Sequence, residues 1–216
     1  MQRARLLAQR LPEVYPDAHC ELDYANPLQL LVATILSAQC TDKRVNMVTP
    51  ALFRRCPTAK DYADISQEEI EELIRSTGFY RNKGKNIRAM GAQLVTQHGG
   101  VVPRTLSELA ALPGVGRKTA NVVLGNAFGL DEGVVVDTHV SRLSLRLGLT
   151  KQTDPIKIEQ DLMKLIPRES WTLFSHWLIW HGRRRCKARN PNCQDCEIYD
   201  LCPTGPKLLE SIAAGK

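Results

Sequence analysis

The sequence predicts an all-α protein. Apolar residues recur at helical spacing in segment after segment, and helix start and stop signals bracket those segments. The only strand-like run, Val134-Val135-Val136, is too short to count. Asn26-Pro27 is an N-cap followed by proline at the first helical position. Behind it come Leu28, Leu31, Val32, Ile35 and Leu36, with Leu30 and Ala33 on other faces, which predicts a helix buried on most sides. Val45, Val48, Leu52 and Phe53 mark a second helix. Ser66 and Glu69 have capping-box spacing before Ile70, Leu73 and Ile74, with Gly78 as the stop. Ile87, Met90 and Leu94 mark a further helix closed by Gly99-Gly100. Thr105 and Glu108 repeat the capping-box spacing. Asp154-Pro155 opens a late helix with Ile158, Leu162 and Leu165. Another starts near Ser170 and runs through Phe174 and Leu178. There is no fixed-period repeat and no low-complexity segment.

With 216 residues and 43% hydrophobic content, the chain can bury one large core or two smaller ones. No apolar run is long enough for a membrane span. Met1 to Arg10 lacks the pattern of a secretory signal, so the expectation is a cytoplasmic protein. The net charge of +6 suits a polyanionic partner, because lysine and arginine displace counterions from a phosphate backbone. Many basic proteins never meet nucleic acid, so charge alone does not decide this.

Leu112-Pro113-Gly114-Val115-Gly116 reads as a tight turn between two helices, the second starting at about Arg117 with Ala120, Val123, Leu124 and Ala127 on one face. Gly114 and Gly116 would let the backbone take positive φ and approach a ligand closely. The N–H groups opening the second helix would then suit a phosphate. Lys118 falls in the first turn of that helix beside Arg117. An amine in that place is a candidate nucleophile, against the commoner reading of a solvated surface lysine. Asp137, at the end of the valine run in Val-Asp-Thr-His, is an N-cap candidate. A capping carboxylate can also accept a proton or stabilise a cation.

Cys186, Cys193, Cys196 and Cys202 crowd into Cys-x6-Cys-x2-Cys-x5-Cys, whereas Cys20, Cys40 and Cys56 are scattered and read as small buried residues. Four thiolates in one loop can hold zinc or a [4Fe–4S] cluster, and the spacing leans toward iron–sulfur. Disulfide pairing is the third reading. No acidic residue occurs from Trp171 to Gln194. Arg183, Arg184, Arg185, Lys187 and Arg189 therefore form either a solvated charged face or a phosphate contact.

Together, Leu-Pro-Gly-Val-Gly-Arg-Lys-Thr-Ala, the Val-Asp-Thr-His segment and the cysteine spacing resemble the endonuclease III family, over nearly the whole chain from Asn26 to Cys202. The resemblance implies a helix–hairpin–helix DNA glycosylase fold of two helical lobes with a cleft between them. Residues 20–131 would form a helical-barrel lobe carrying the hairpin, and residues 1–19 plus 132–216 the lobe carrying the iron–sulfur loop. It implies a bifunctional glycosylase and abasic-site lyase that removes oxidised pyrimidines. Lys118 would attack C1′ and Asp137 would assist, facing it across the cleft. β-Elimination would then cut the strand 3′ to the lesion. Gly114 and Gly116 would bind backbone, Gln39 of Ser-Ala-Gln-Cys-Thr-Asp would enter the gap left by the flipped nucleotide, and Phe79 would occupy the wedge loop. Phe79 departs from the leucine common in relatives, and packing in the core is its other reading. The cofactor implied is a [4Fe–4S] cluster on Cys186, Cys193, Cys196 and Cys202, presenting Lys187 and Arg189 to phosphates. The partner implied is double-stranded DNA with a damaged base or abasic site, met by a monomer in the cytoplasm, nucleoid-associated if bacterial. An adenine-removing relative is disfavoured because such enzymes lack a lysine at the position of Lys118. A non-catalytic DNA-binding or redox-sensing iron–sulfur protein is the reading from another class.

Overall fold

The structure, a computed structural model, describes residues 2–213. Among them there are twelve α-helices and no strand: α1 (Gln2–Val14), α2 (Pro27–Leu36), α3 (Asp42–Arg55), α4 (Ala59–Asp64), α5 (Gln67–Ile74), α6 (Tyr80–His98), α7 (Leu106–Ala110), α8 (Arg117–Phe128), α9 (Thr138–Arg146), α10 (Pro155–Leu165), α11 (Trp171–Arg184) and α12 (Gly205–Ala213). Short 3-10 turns occupy Arg75–Thr77, Arg168–Ser170 and Tyr199–Leu201. Every helix anticipated from periodicity is present. Val134, Val135 and Val136 are buried without a sheet, and the Val135 amide donates to Ser175 Oγ at 3.0 Å.

Four helices lack a forecast in the sequence. α1 buries Ala4, Leu7 and Leu11, but its one-residue-per-turn stripe is interrupted by arginines and by Pro12 in the last turn. α4 has six residues, too few for a period to register. α9 follows the Asp137 cap, and α12 lies beyond the cysteine loop.

The two capping boxes are half-formed. Ser66 Oγ accepts from the Glu69 amide, but the Glu69 carboxylate is engaged by Arg55 instead of returning to the cap. Thr105 accepts from the Glu108 amide, and its hydroxyl donates to the Glu108 carboxylate. A salt-bridge partner or a hydroxyl nearby competes for the N3 carboxylate, and three-residue spacing cannot reveal that. The complete reciprocal box is at Thr58 and Asp61, opening α4.

Contacts divide the chain into two compact units, Glu21–Leu130 and Met1–Cys20 with Asp131–Lys216. In the first, α2 is apolar on most sides, with Leu30, Leu31, Val32, Ala33 and Leu36 fully buried, and it packs on α8. α4 lies so close on α6 that a Cβ at Gly91 would meet Ala59 O at 2.8 Å and Ala63 N at 2.9 Å. Only a residue without Cβ permits this approach. In the second unit α1, α9, α10 and α11 share a core that includes Leu7, Leu11, Val140, Leu143, Ile158 and Phe174. No helix among the described residues is long and apolar enough to cross a membrane.

Candidate nucleophile hairpin, DNA-probing turns and cluster loop

In the Glu21–Leu130 unit, α7 runs into the turn Leu112–Gly116 and α8 follows. Gly114 has φ +76°, and a Cβ there would lie 2.9 Å from the Asn86 Cβ, so both the torsion and the space require glycine. Gly116 differs from expectation. Its φ is −92° and open space surrounds its Cβ position, so it is an ordinary extended N-cap and needs no positive φ. Its contribution is different: α8 has no side-chain cap hydrogen bond. An N-terminus left uncapped by side chains keeps N–H groups available to an anion. Lys118 is exposed in the first turn of that helix.

Gln39 and Phe79 are both exposed, and both adopt left-handed backbone, with φ 52° and 49°. Phe79 is 64% exposed, so it does not pack in the core. Asn190, in the basic loop, has φ 52°. These are the three non-glycine residues with positive φ among the described residues, and each lies in a segment the sequence singled out for DNA contact. Positive φ costs an L-residue free energy and persists where the surroundings enforce it, often at ligand-binding turns.

Lys83, in the first turn of α6, was not foreseen. It is 5% exposed, and its Nζ donates to Leu36 O and Thr77 O, both at 2.8 Å. Burial pulls its ammonium below the usual lysine range. A lysine on the inner face of a helix, flanked by Gly84 and Ile87, is the only sequence signal that could have flagged it.

In the other unit, Asp137 caps α9. Its Oδ1 accepts from the Val140 amide at 2.8 Å, which bears out the capping role. The far half of α9 holds the cysteine loop: Arg142 donates to Gly182 O and Cys186 O at 3.1 and 3.0 Å, and Arg146 to Cys186 Sγ, Lys187 O and Ala188 O at 3.2, 2.8 and 2.9 Å. The four-residue spacing of Arg142 and Arg146 places both on one helical face. Lys187 and Arg189 are exposed on the loop so anchored.

Cys186, Cys193, Cys196 and Cys202 line one pocket together with apolar Leu143 and Ile198. Four cysteines around one largely apolar pocket supply the number and type of donors that a [4Fe–4S] cluster takes. Burial pushes the Cys196 thiol up to about 11. The donor set fits a [4Fe–4S] cluster. Of the scattered cysteines only Cys56 is buried; Cys20 and Cys40 are partly exposed because they sit in connecting turns.

Comparison with known proteins agrees. Residues 32–168 match the HhH-GPD superfamily base excision DNA repair protein family, and residues 186–202 match the iron–sulfur binding domain of endonuclease III. Endonuclease III of Synechocystis is 60% identical over 94% of this chain and 93% of its own. A solved non-covalent endonuclease III–DNA complex superimposes with a TM-score of 0.92 at 47% identity, covering 97% of this chain and 98% of that one. A trapped endonuclease III–DNA covalent intermediate superimposes at 0.91 with 47% identity, covering 96% and 98%. The chain carries a [4Fe–4S] cluster and belongs to the endonuclease III family, DNA glycosylase/abasic-site lyases of the HhH-GPD base-excision repair superfamily.

Proposed function

We propose that this enzyme removes oxidised pyrimidines from double-stranded DNA and opens abasic sites, with Lys118 as nucleophile and Asp137 as its carboxylate partner. The observation that supports this best is an exposed amine in the first turn of α8, directly after a hairpin that leaves the helix N-terminus uncapped by side chains. The phosphate backbone binds at those N–H groups, with Gly114 and Gly116 in the turn, and the damaged nucleotide leaves the stack so that C1′ becomes reachable. Gln39 fills the vacated space and Phe79 wedges the opposite strand.

Lys118 Nζ forms a bond to C1′ while the C1′–N bond to the base breaks and the base departs with a proton. Asp137 stabilises the cationic sugar and relays a proton from the lysine nitrogen to the departing base. The sugar ring opens to an imine joining Nζ to C1′. Loss of a proton from C2′ then expels the 3′ phosphate, and water releases the unsaturated sugar aldehyde from Lys118. Cys186, Cys193, Cys196 and Cys202 hold the cluster. Bound there, it supplies a cross-link that fixes the loop bearing Lys187 and Arg189 against phosphates. The units Glu21–Leu130 and Met1–Cys20 with Asp131–Lys216 serve as the hairpin lobe and the cluster lobe. The enzyme acts as a monomer in the cytoplasm, at the nucleoid in a bacterial cell.

Borohydride reduction on a duplex with a single abasic or oxidised-pyrimidine site tests the chemistry. The native protein should become covalently attached and Lys118→Gln should not. Asp137→Asn keeps an oxygen able to cap α9, so its fold should hold while base removal drops by about 10²- to 10⁴-fold. Equal trapping by native protein and Lys118→Gln would refute the assignment.

A further inference from the structure

We propose that Lys83 is a positioning residue that yokes the Gln39 turn to the Phe79 turn, setting the distance between the two side chains that probe the DNA stack. The inference rests on the reading of Gln39 and Phe79 given above. Lys83 Nζ donates at 2.8 Å to Leu36 O, the last carbonyl of α2, three residues before Gln39. It donates at the same distance to Thr77 O, which closes the 3-10 turn two residues before Phe79. Its own amide donates to Phe79 O at 3.0 Å. The amide hydrogen bond is the opening helical bond of α6; the side chain alone joins the stem of one turn to the near side of the other.

Three physical points argue for positioning over filling. A buried ammonium loses its hydration, a cost that a methionine of similar length would avoid, so the cation must return something that packing does not. Leu36 O is a helix-terminal carbonyl without an intrahelical partner, and a cation at that end also meets the negative pole of the helix. Finally, both gripped turns carry a left-handed non-glycine residue, Gln39 at φ 52° and Phe79 at φ 49°, and both tips are exposed. Local propensity does not favour that torsion, so something outside each turn must enforce it. The shared tether is the hydrogen-bonded link between the two turns. A gap-filling side chain and a wedge act on opposite strands of one base pair, so their separation matters as much as their identity.

The test is a cycle of variants of the full, cluster-loaded protein: native, Lys83→Gln, the pair Gln39→Ala with Phe79→Ala, and all three together. Each is assayed in single turnover on a duplex with one oxidised pyrimidine, with melting temperature and cluster absorbance as checks of fold. Lys83→Gln should slow base removal about tenfold. In the background lacking both tips, the same substitution should cost less than about twofold, because nothing remains to be positioned. Lys83→Arg keeps the charge and donors with a different reach. It should cost about threefold, again only when the tips are present, and it carries the cycle if Lys83→Gln does not fold. Equal losses in both backgrounds would overturn the inference and leave Lys83 a stability residue. If removing the tips alone leaves the rate intact, the reading of Gln39 and Phe79 fails instead, whatever Lys83 does.

Discussion

At the scale of single residues, torsion and burial set positions apart more sharply than residue type does. Gln39, Phe79 and Asn190 occupy left-handed backbone at exposed turns, while Lys83 is buried among carbonyls. Lysine and phenylalanine thus exchange the places composition would assign them. The Asp137 cap and the place of Lys118 in the first turn of α8 were legible because both belong to helix starts, which leave capping and glycine signals in the sequence. Lys83 and Arg146 were not, because what defines them is a carbonyl or sulfur from a distant segment. His176 gives a pH prediction. It is 9% exposed, and burial, aided by the charges of His19 and Arg183, holds it at about 4 against 6.5. The unfolded chain therefore binds the extra proton between those values. The stability this neutral histidine contributes is complete above about pH 6.5 and falls toward pH 4, by at most about 1.4 kcal/mol per pH unit. Urea unfolding at about pH 7 and about pH 5 should show the loss, and His176→Gln should reduce it without abolishing it, because burial holds His181 at about 4 as well; a slope unchanged in that variant would reject the assignment.

At the scale of elements, five caps read in the sequence are formed, whereas Thr41, which caps α3, was not read, and Ser170 makes no side-chain cap hydrogen bond. Asn26, Ser66, Thr105, Asp137 and Asp154 all accept a hydrogen bond from the amide three residues on. The second half of a capping box was not readable, since Arg55 takes the Glu69 carboxylate from another helix. Nor was the six-residue α4, whose existence depends on its close seat on α6 at Gly91. Gly91→Ala should push backbone against backbone and destabilise the protein by about 1–3 kcal/mol. Denaturant unfolding checks this. A change within experimental error would mean α4 can shift away freely.

At the scale of the whole molecule, each unit carries its own core, and the cluster loop belongs to only one of them. Losing a ligand should therefore be a local event at first. Cys193→Ala should abolish the visible cluster absorbance, raise hydrogen exchange across residues 186–202 and lower affinity for any DNA, damaged or not, because Lys187 and Arg189 lose their fixed loop. Protection of α2 and α6 in the Glu21–Leu130 unit should persist; its collapse would show that the units do not hold their stability separately. The sequence by itself determined the all-α class and the hairpin, because each is written in short-range spacing that backbone hydrogen bonding reads directly; the nucleophile candidate and the iron–sulfur ligand set came from the family that its motifs together resemble. Only the tertiary structure decided that Phe79 is a tip and not a core residue, that α9 clamps the cysteine loop through two arginines, and that one buried ammonium joins two turns. Those depend on which surfaces meet after the chain has folded back on itself, and no window along the sequence contains both partners.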